Sequence, residues 1–236
     1  MTFAARRALK SKLAERALVQ GVLADFPSDD LVAALASLGF DLIFIDCEHG
    51  GPDIETVVRM ARAARAGGTV TLLRPWSTEA GLVRRFIDCG VDGIVAPGIE
   101  TAAQAQRLAG IISTAEPPDQ DSFLFVPLIE CRTGVENLEA IVTAPGVDGL
   151  LLGASDLAVS LGEPRRGDAP RARDMALGAL DRARALGRSA GLPAARFGAR
   201  TAWDNGANLL MWSTQQLLNA GAQDHIQLVQ GLAYGG

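Results

Sequence analysis

The chain has 236 residues, 48% hydrophobic and 21% charged, which is enough for one domain with a full core and unlike a disordered or fibrous protein. A formal net charge of −5 argues against nucleic acid and anionic membranes as partners, because both select a basic face. Cys47, Cys89 and Cys131 are odd in number and widely spaced, which speaks against a disulfide framework or zinc cluster and fits a reducing compartment.

Residues 1–20 are charged and amphipathic without a continuous apolar run. They predict a helix over 4–19, with no secretory leader or membrane span, and a cytoplasmic protein. The first strand-like run is 18–26, after which Ser28 or Asp29 caps a helix ending at Gly39. Strand 41–48 leads to a helix from Asp53 to near Gly67, and strand 69–74 to a helix begun by Thr78 and ended by Gly90. Strands 93–97, 123–130, 149–153 and 189–193 precede helices 101–112, 135–143, 170–186 and 197–205, and strand 208–212 precedes a terminal helix over 215–232.

Eight strands, apolar on both faces and alternating with helices, predict a parallel sheet covered outside by helices and packed inside, a single-domain (β/α)8 TIM barrel over 1–236. A doubly wound open sheet would usually declare Gly-x-Gly-x-x-Gly after its first strand, and the sequence has none there. No linker, low-complexity tract or repeat beyond the β/α alternation is expected.

In such a barrel the catalytic groups stand where strands end. Here the second strand ends in Ile45-Asp46-Cys47-Glu48-His49-Gly50, the third in Leu73-Arg74-Pro75-Trp76 and the fifth in Leu128-Ile129-Glu130, while the sixth runs into Gly153-Ala154-Ser155-Asp156-Leu157. One charged residue at a strand end usually caps a helix or pairs locally, and Asp156 alone would read as the cap of a short turn. Several on successive strands read as a site. Glu130 and Asp156 offer hard oxygen ligands for Mg²⁺ or Mn²⁺, with Co²⁺ a further candidate, leaving positions for a 2-oxo acid. Arg74 provides permanent charge for an enolate oxygen, and His49 is the proton shuttle suited to neutral pH. An isolated His49 would instead read as a structural histidine beside Asp46. The only lysines, Lys10 and Lys12, lie in the N-terminal helix, which disfavours a Schiff base inside the barrel. No Gly-rich phosphate cradle follows strands seven and eight. His225, Trp203 and Trp212 read as packing or assembly residues.

At these residues the sequence resembles the HpcH/HpaI family of metal-dependent class II pyruvate aldolases. The resemblance rests on Gly39-Phe40-Asp41 with Ile45 to Gly50, Leu73-Arg74-Pro75-Trp76, Phe86-Ile87-Asp88-Cys89-Gly90, Ile129-Glu130, and Val147-Asp148-Gly149 with Gly153 to Leu157. It implies Glu130 and Asp156 as metal ligands, Arg74 as enolate stabiliser and His49 with Asp88 as an acid/base dyad. It further implies backbone amides of Gly153, Ala154 and Ser155 for the substrate carboxylate, Asp46 in the metal's water network, and a homo-oligomer, a hexamer that exchanges its terminal helix. The expected reaction is reversible cleavage of a 4-hydroxy-2-oxo acid to pyruvate and an aldehyde. Alternatives are an oxaloacetate-type decarboxylase, a CoA-ester lyase using Arg165-Arg166, and a 2-oxo acid-binding subunit without turnover. Two departures stand out: Leu128 replaces the family's glutamine, and 113–122 is short where relatives carry a longer lid.

Overall fold

The computed structural model describes residues 2–115, 123–165 and 167–234; Pro117 to Asp121 of the expected short lid, and Arg166, lie outside them. Eight parallel strands close a barrel in sequence order: β1 (Val19–Leu23), β2 (Leu42–Asp46), β3 (Val70–Arg74), β4 (Gly93–Ala96), β5 (Leu124–Ile129), β6 (Leu150–Leu152), β7 (Ala190–Pro193) and β8 (Leu209–Ser213). Helix α1 (Thr2–Ala14) precedes β1, and α2 (Asp29–Ser37), α3 (Ile54–Ala66), α4 (Ala80–Asp88) and α5 (Ala102–Ala115) follow the first four strands in turn. After β5 come α6 (Arg132–Glu136) and α7 (Leu138–Val142); after β6, α8 (Ala154–Ser160) and α9 (Pro170–Ala185). Helices α10 (Ala194–Phe197) and α11 (Ala199–Asp204) follow β7, and α12 (Thr214–Tyr234) follows β8. Closure of the sheet rules out the open doubly wound alternative.

The expected strands all form, and the differences lie in the helices. The first helix ends at Ala14 rather than residue 19, and the chain turns at Arg16, where φ is 54°. Glu79, not Thr78, stands at the start of α4. The expected helix 135–143 is two helices parted at Asn137, whose side-chain amide donates to the Glu100 carbonyl instead. Gly198, with φ 82°, separates α10 from α11. Helix α8 forms where only a turn was expected. Among the described residues no helix is long and apolar enough to cross a membrane.

The period-two geometry of strands divides the core into two. Leu42 and Phe44, Val70 and Leu72, Leu124, Val126 and Leu128, Leu209 and Met211 fill the barrel interior, while Ile43, Ile45, Leu73, Phe125, Ile129 and Leu210 face the helices. Leu9 and Leu13 of α1 join the interior cluster and close the barrel at the strands' N-terminal ends.

That lower end carries a repeat that the sequence reading missed. Gly39-Phe40-Asp41, Gly90-Val91-Asp92, Gly146-Val147-Asp148 and Gly206-Ala207-Asn208 precede β2, β4, β6 and β8. Each glycine has positive φ, between 84° and 100°, a conformation that favours glycine. Each Asp or Asn donates its backbone N–H to the preceding odd strand, to the carbonyls of Gln20, Thr71, Phe125 and Ala190. Its side chain accepts the N–H of that same residue at 2.8–3.1 Å. Three of the four clamps are also held by cations of α1: Lys12 on Asp41 at 2.5 Å, Arg6 on Asp92 at 2.5 Å and Lys10 on Asp148 at 3.3 Å. Asn208 is served by neutral groups, donating to the Ala17 carbonyl and the Ser189 hydroxyl.

Arg6 and Asp92 are the most deeply buried of these pairs, and removing one partner of a buried pair leaves a charge without compensation. Asp92→Ala is therefore expected to lower unfolding free energy by about 3–5 kcal/mol, read as a reduced urea midpoint, whereas Lys12→Ala, at a partly exposed pair, should cost about 1 kcal/mol.

Candidate active site

The alternation that builds the interior also places the charged residues. Asp46 continues the inward series of Leu42 and Phe44, Arg74 that of Val70 and Leu72, and Glu130 that of Val126 and Leu128. The three carry the inward line to the C-terminal rim. There Arg74 and Glu130 line a cavity of about 520 Å³ above an apolar floor that includes Phe44, Leu128, Leu151 and Met211, and Asp46 is buried against Arg74.

Arg74 is the hub. Its Nε and Nη2 donate to Asp46 Oδ1 and Oδ2 at 2.9 and 2.6 Å, a bidentate pair between residues in register on β2 and β3. Its Nη1 lies 3.0 Å from Glu48 Oε2 and 3.5 Å from Glu130 Oε1. Glu48 was not singled out from the sequence, although its place two residues beyond Asp46 was the signal. Its Oε2 is buried and takes part in no hydrogen bond of good geometry, only the ion pair.

Burial works against the ionised form of Asp46, but the hydrogen bonds and charge of Arg74 and the N–H groups of Glu48 and His49 outweigh it and hold the carboxyl below the usual range. Arg74 is likewise disfavoured by burial yet raised by Asp46, Glu48 and Glu130. Glu130 goes the other way. Burial, then the neighbouring charge of Glu48, push it up to about 7, opposed by Arg74 and the Gly98 N–H, with Asp156 adding to the rise. Glu130 leans against Gly153 so closely that a Cβ there would lie 2.7 Å from its Cγ, so a side chain at 153 would displace the carboxylate.

Asp156 lies in the first turn of α8, lines the same cavity, and pairs through Oδ1 with Arg165 Nη2 at 2.5 Å. The structure thus brings together His49, Arg74, Glu130, Gly153, Ala154, Ser155 and Asp156 as cavity lining, with Asp46 held on Arg74. The amide of Gly153 is committed to the Ile129 carbonyl at 2.9 Å. Those of Ala154 and Ser155 open α8, which has no side-chain cap. His49 is exposed at the rim, and it is its backbone N–H, not its ring, that bonds Asp46.

Asp88 is not part of this cluster. It is the exposed last residue of α4, where that helix has returned toward the start of β4, and it is outside the cavity lining. Arg165, which the CoA-ester lyase alternative would use with Arg166, is half exposed and lines the cavity. Trp212 both packs on the core and lines the cavity, while Trp203 and His225 are exposed. Lys10 and Lys12 pair with Asp148 and Asp41 at the other end of the barrel.

The four carboxylates in ion pairs here, Asp46, Glu48, Glu130 and Asp156, face two guanidinium groups, Arg74 and Arg165, leaving a formal charge of −2 when all are ionised, and Asp25 also lines the cavity. One divalent cation would cancel the charge of the paired groups. Among the described residues no group of three or more His, Cys, Asp or Glu is disposed to hold a metal ion, so a cation would take two carboxylates, Glu130 and Asp156, and complete its shell with water or substrate. The donor set fits Mg²⁺ or Mn²⁺ in that open form.

Comparison with known proteins agrees with this architecture. Residues 24–216 match the family described as HpcH/HpaI aldolase/citrate lyase. A pyruvate aldolase of Rhizobium etli is 29% identical over 205 residues, spanning 76% of this chain and 80% of that protein. A hydroxypyruvate/pyruvate aldolase of Chromohalobacter salexigens is 27% identical over 197 residues, spanning 73% and 77%. The crystal structure of an HpcH/HpaI aldolase/citrate lyase family protein from Burkholderia cenocepacia has a TM-score of 0.84 at 26% identity, covering 94% of this chain and 99% of that one.

The raised Glu130 makes the metal-free fold sensitive to pH. Folding lifts this group from 4.5 to about 7, so the folded state holds the proton more tightly than the unfolded chain. Its contribution to stability is complete below 4.5 and lost as pH rises through about 7. The span corresponds to about 3 kcal/mol. Thermal unfolding of metal-free protein across this window should show that decline, and Glu130→Gln should remove it.

Proposed function

The chain belongs to the HpcH/HpaI aldolase/citrate lyase family and is a carbon–carbon lyase, and we propose that it cleaves a 4-hydroxy-2-oxo acid reversibly to pyruvate and an aldehyde. The observation that carries this reading is the uncompensated carboxylate cluster beside Arg74 at the mouth of an apolar barrel. Glu130 and Asp156 would hold a divalent cation, Mg²⁺ or Mn²⁺, which would supply a Lewis acid for the keto oxygen of the substrate.

The chain's own groups do the rest. Arg74, oriented by its bidentate grip on Asp46, presents Nη1 toward the cation-binding side and stabilises the enolate oxygen that develops as the bond between C3 and C4 breaks. His49 accepts the proton of the 4-hydroxyl, the electron pair of the broken bond passes into the enolate, and the proton is returned to C3 of pyruvate. The amides of Ala154 and Ser155 receive the substrate carboxylate at the start of α8. Phe44, Leu128, Met211 and Trp212 supply an apolar wall that limits water.

Homo-oligomer formation completes this proposal. Leu218, Ile226, Leu228 and Val229 are exposed along α12, an apolar surface of the kind that marks an interface. A His49–Asp88 dyad would draw Asp88 from a second copy, because in its own chain Asp88 faces away from the cavity. The protein works in the cytoplasm on small molecules, without nucleic acid or membrane.

Pyruvate release from 4-hydroxy-2-oxo acids, followed with and without Mn²⁺ after chelation, tests the proposal. Turnover should require the cation, and Arg74→Lys and Glu130→Gln should each lower kcat by about 10²–10³-fold. Release of pyruvate from oxaloacetate alone would assign the site to decarboxylation. Binding of Mn²⁺ and oxalate with no turnover would assign it to a binding subunit.

A further inference from the structure

A second, smaller cavity of about 200 Å³ adjoins the first at Ala154, and Asp168, Arg173, Arg196 and Phe197 are among the residues that line it. The mechanism uses none of its charged groups. The Arg173 guanidinium stands 5.4 Å from the centroid of the Phe197 ring and, among the described residues, has neither ion pair nor hydrogen bond. The Asp168 carboxylate likewise has neither. Arg196 is half-buried and commits Nη1 to the Ser155 hydroxyl at 2.8 Å and the Arg165 carbonyl at 3.1 Å, which leaves Nε and Nη2 for another partner. Two guanidinium groups with donors to spare thus share a small space with one carboxylate, a formal charge of +1.

We propose that this cavity binds inorganic phosphate. The two guanidinium groups supply charge-assisted donors for its oxygens, and the volume admits a tetrahedral ion. Asp168 sets the choice among oxyanions. An ionised carboxylate can only accept a hydrogen bond, so the oxygen beside it must carry a proton. Phosphate keeps a P–OH group at neutral pH, whereas sulfate has none and would set lone pair against lone pair. Recognition here is by side-chain guanidinium groups and not by the glycine-rich amide cradle of a barrel that takes a phosphorylated substrate. The ion is no reactant. It engages one side of Arg196 while the other side holds the Ser155 hydroxyl in the first turn of α8, and so braces the turn whose amides, in the function proposed above, receive the substrate carboxylate.

Calorimetric titration of the full chain with phosphate, sulfate and methyl phosphate, with no divalent cation added, tests the proposal. At about pH 8 the ester has lost its last proton and serves, like sulfate, as a tetrahedral anion without a donor. Wild type should bind phosphate at least about tenfold more tightly than either. Asp168→Asn, which turns an obligate acceptor into a donor, should bring the three within about threefold of one another by strengthening sulfate and the ester. Arg173→Gln, at an exposed position, should weaken phosphate about tenfold. Arg84→Gln removes the same charge from the exposed face of α4 and should leave binding unchanged. Sulfate binding as tightly as phosphate in wild type, equal effects of Arg84→Gln and Arg173→Gln, or no heat from any probe would overturn the proposal. Phosphate binding untouched by Asp168→Asn and Arg173→Gln would put the ion elsewhere and overturn it too. None of these readings involves the cation or turnover, so their failure leaves the proposed reaction standing.

Discussion

A single guanidinium surrounded by more negative charge than it can neutralise governs the upper face of this barrel. Arg74 satisfies Asp46 fully, through two hydrogen bonds, and reaches Glu48 and Glu130 only as an ion-pair neighbour. Glu130 is buried over an apolar floor and, after that, faces the poorly screened charge of Glu48, so it is the carboxylate with the weakest grip that holds a proton to about 7. On the function proposed above, the same imbalance that makes the metal-free site reluctant to ionise would make it receptive to a divalent cation, and affinity for the ion and instability without it would be one property.

The placement of that charge follows from packing. A strand in a closed barrel cannot choose which residues face inward: once Leu42 and Phe44 fill the interior, Asp46 must follow them, and the same holds for Arg74 after Leu72 and for Glu130 after Leu128. Cys47, one residue out of step, faces the helices and is buried among apolar groups, with its thiol pushed up to about 12 by burial first and by Asp46 second. The register therefore separates an inward line of chemistry from an outward line of structure, and a slip of one residue in β2 would exchange them.

Much of this was legible in the sequence, for identifiable reasons. The eight strands could be located because both faces of each are buried, so every strand reads as a short apolar block between helix caps. Asp46, Arg74 and Glu130 were legible because polar residues ending such blocks are conspicuous. Asp156 was legible as a member of the site but not in its setting, since helix α8 was read as a turn and the arginine that covers Asp156 lies nine residues further on. Glu48 was lost in a string of polar residues whose inward and outward members only the strand register distinguishes. The Gly-x-Asp clamps were missed because they are separated by unequal stretches of chain and one carries Asn. Their likeness lies in the hydrogen bonds each makes to the preceding strand, which no spacing rule reveals. The His49–Asp88 pairing implied by resemblance is a different case: chain order places one residue at the rim and the other at the end of a returning helix, so folding one copy does not bring them together.

The two ends of the barrel treat charge in opposite ways, and the contrast explains how the fold tolerates its own site. At the lower end Asp41, Asp92 and Asp148 each accept a strand N–H and each face a cation from α1, so their charges are satisfied locally and join helix to sheet. At the upper end charge is left in excess, and the few kcal/mol that Glu130 forfeits near neutral pH is a substantial fraction of the net stability of an ordinary domain. A barrel closed by hydrogen bonds around its whole circumference and clamped below can carry that deficit without opening, because the strands bearing Asp46, Arg74 and Glu130 are anchored at their far ends by contacts that do not change when the rim gains or loses charge. The anchoring also fixes the carboxylates in mutual opposition, which a more pliable scaffold would relieve by letting them move apart.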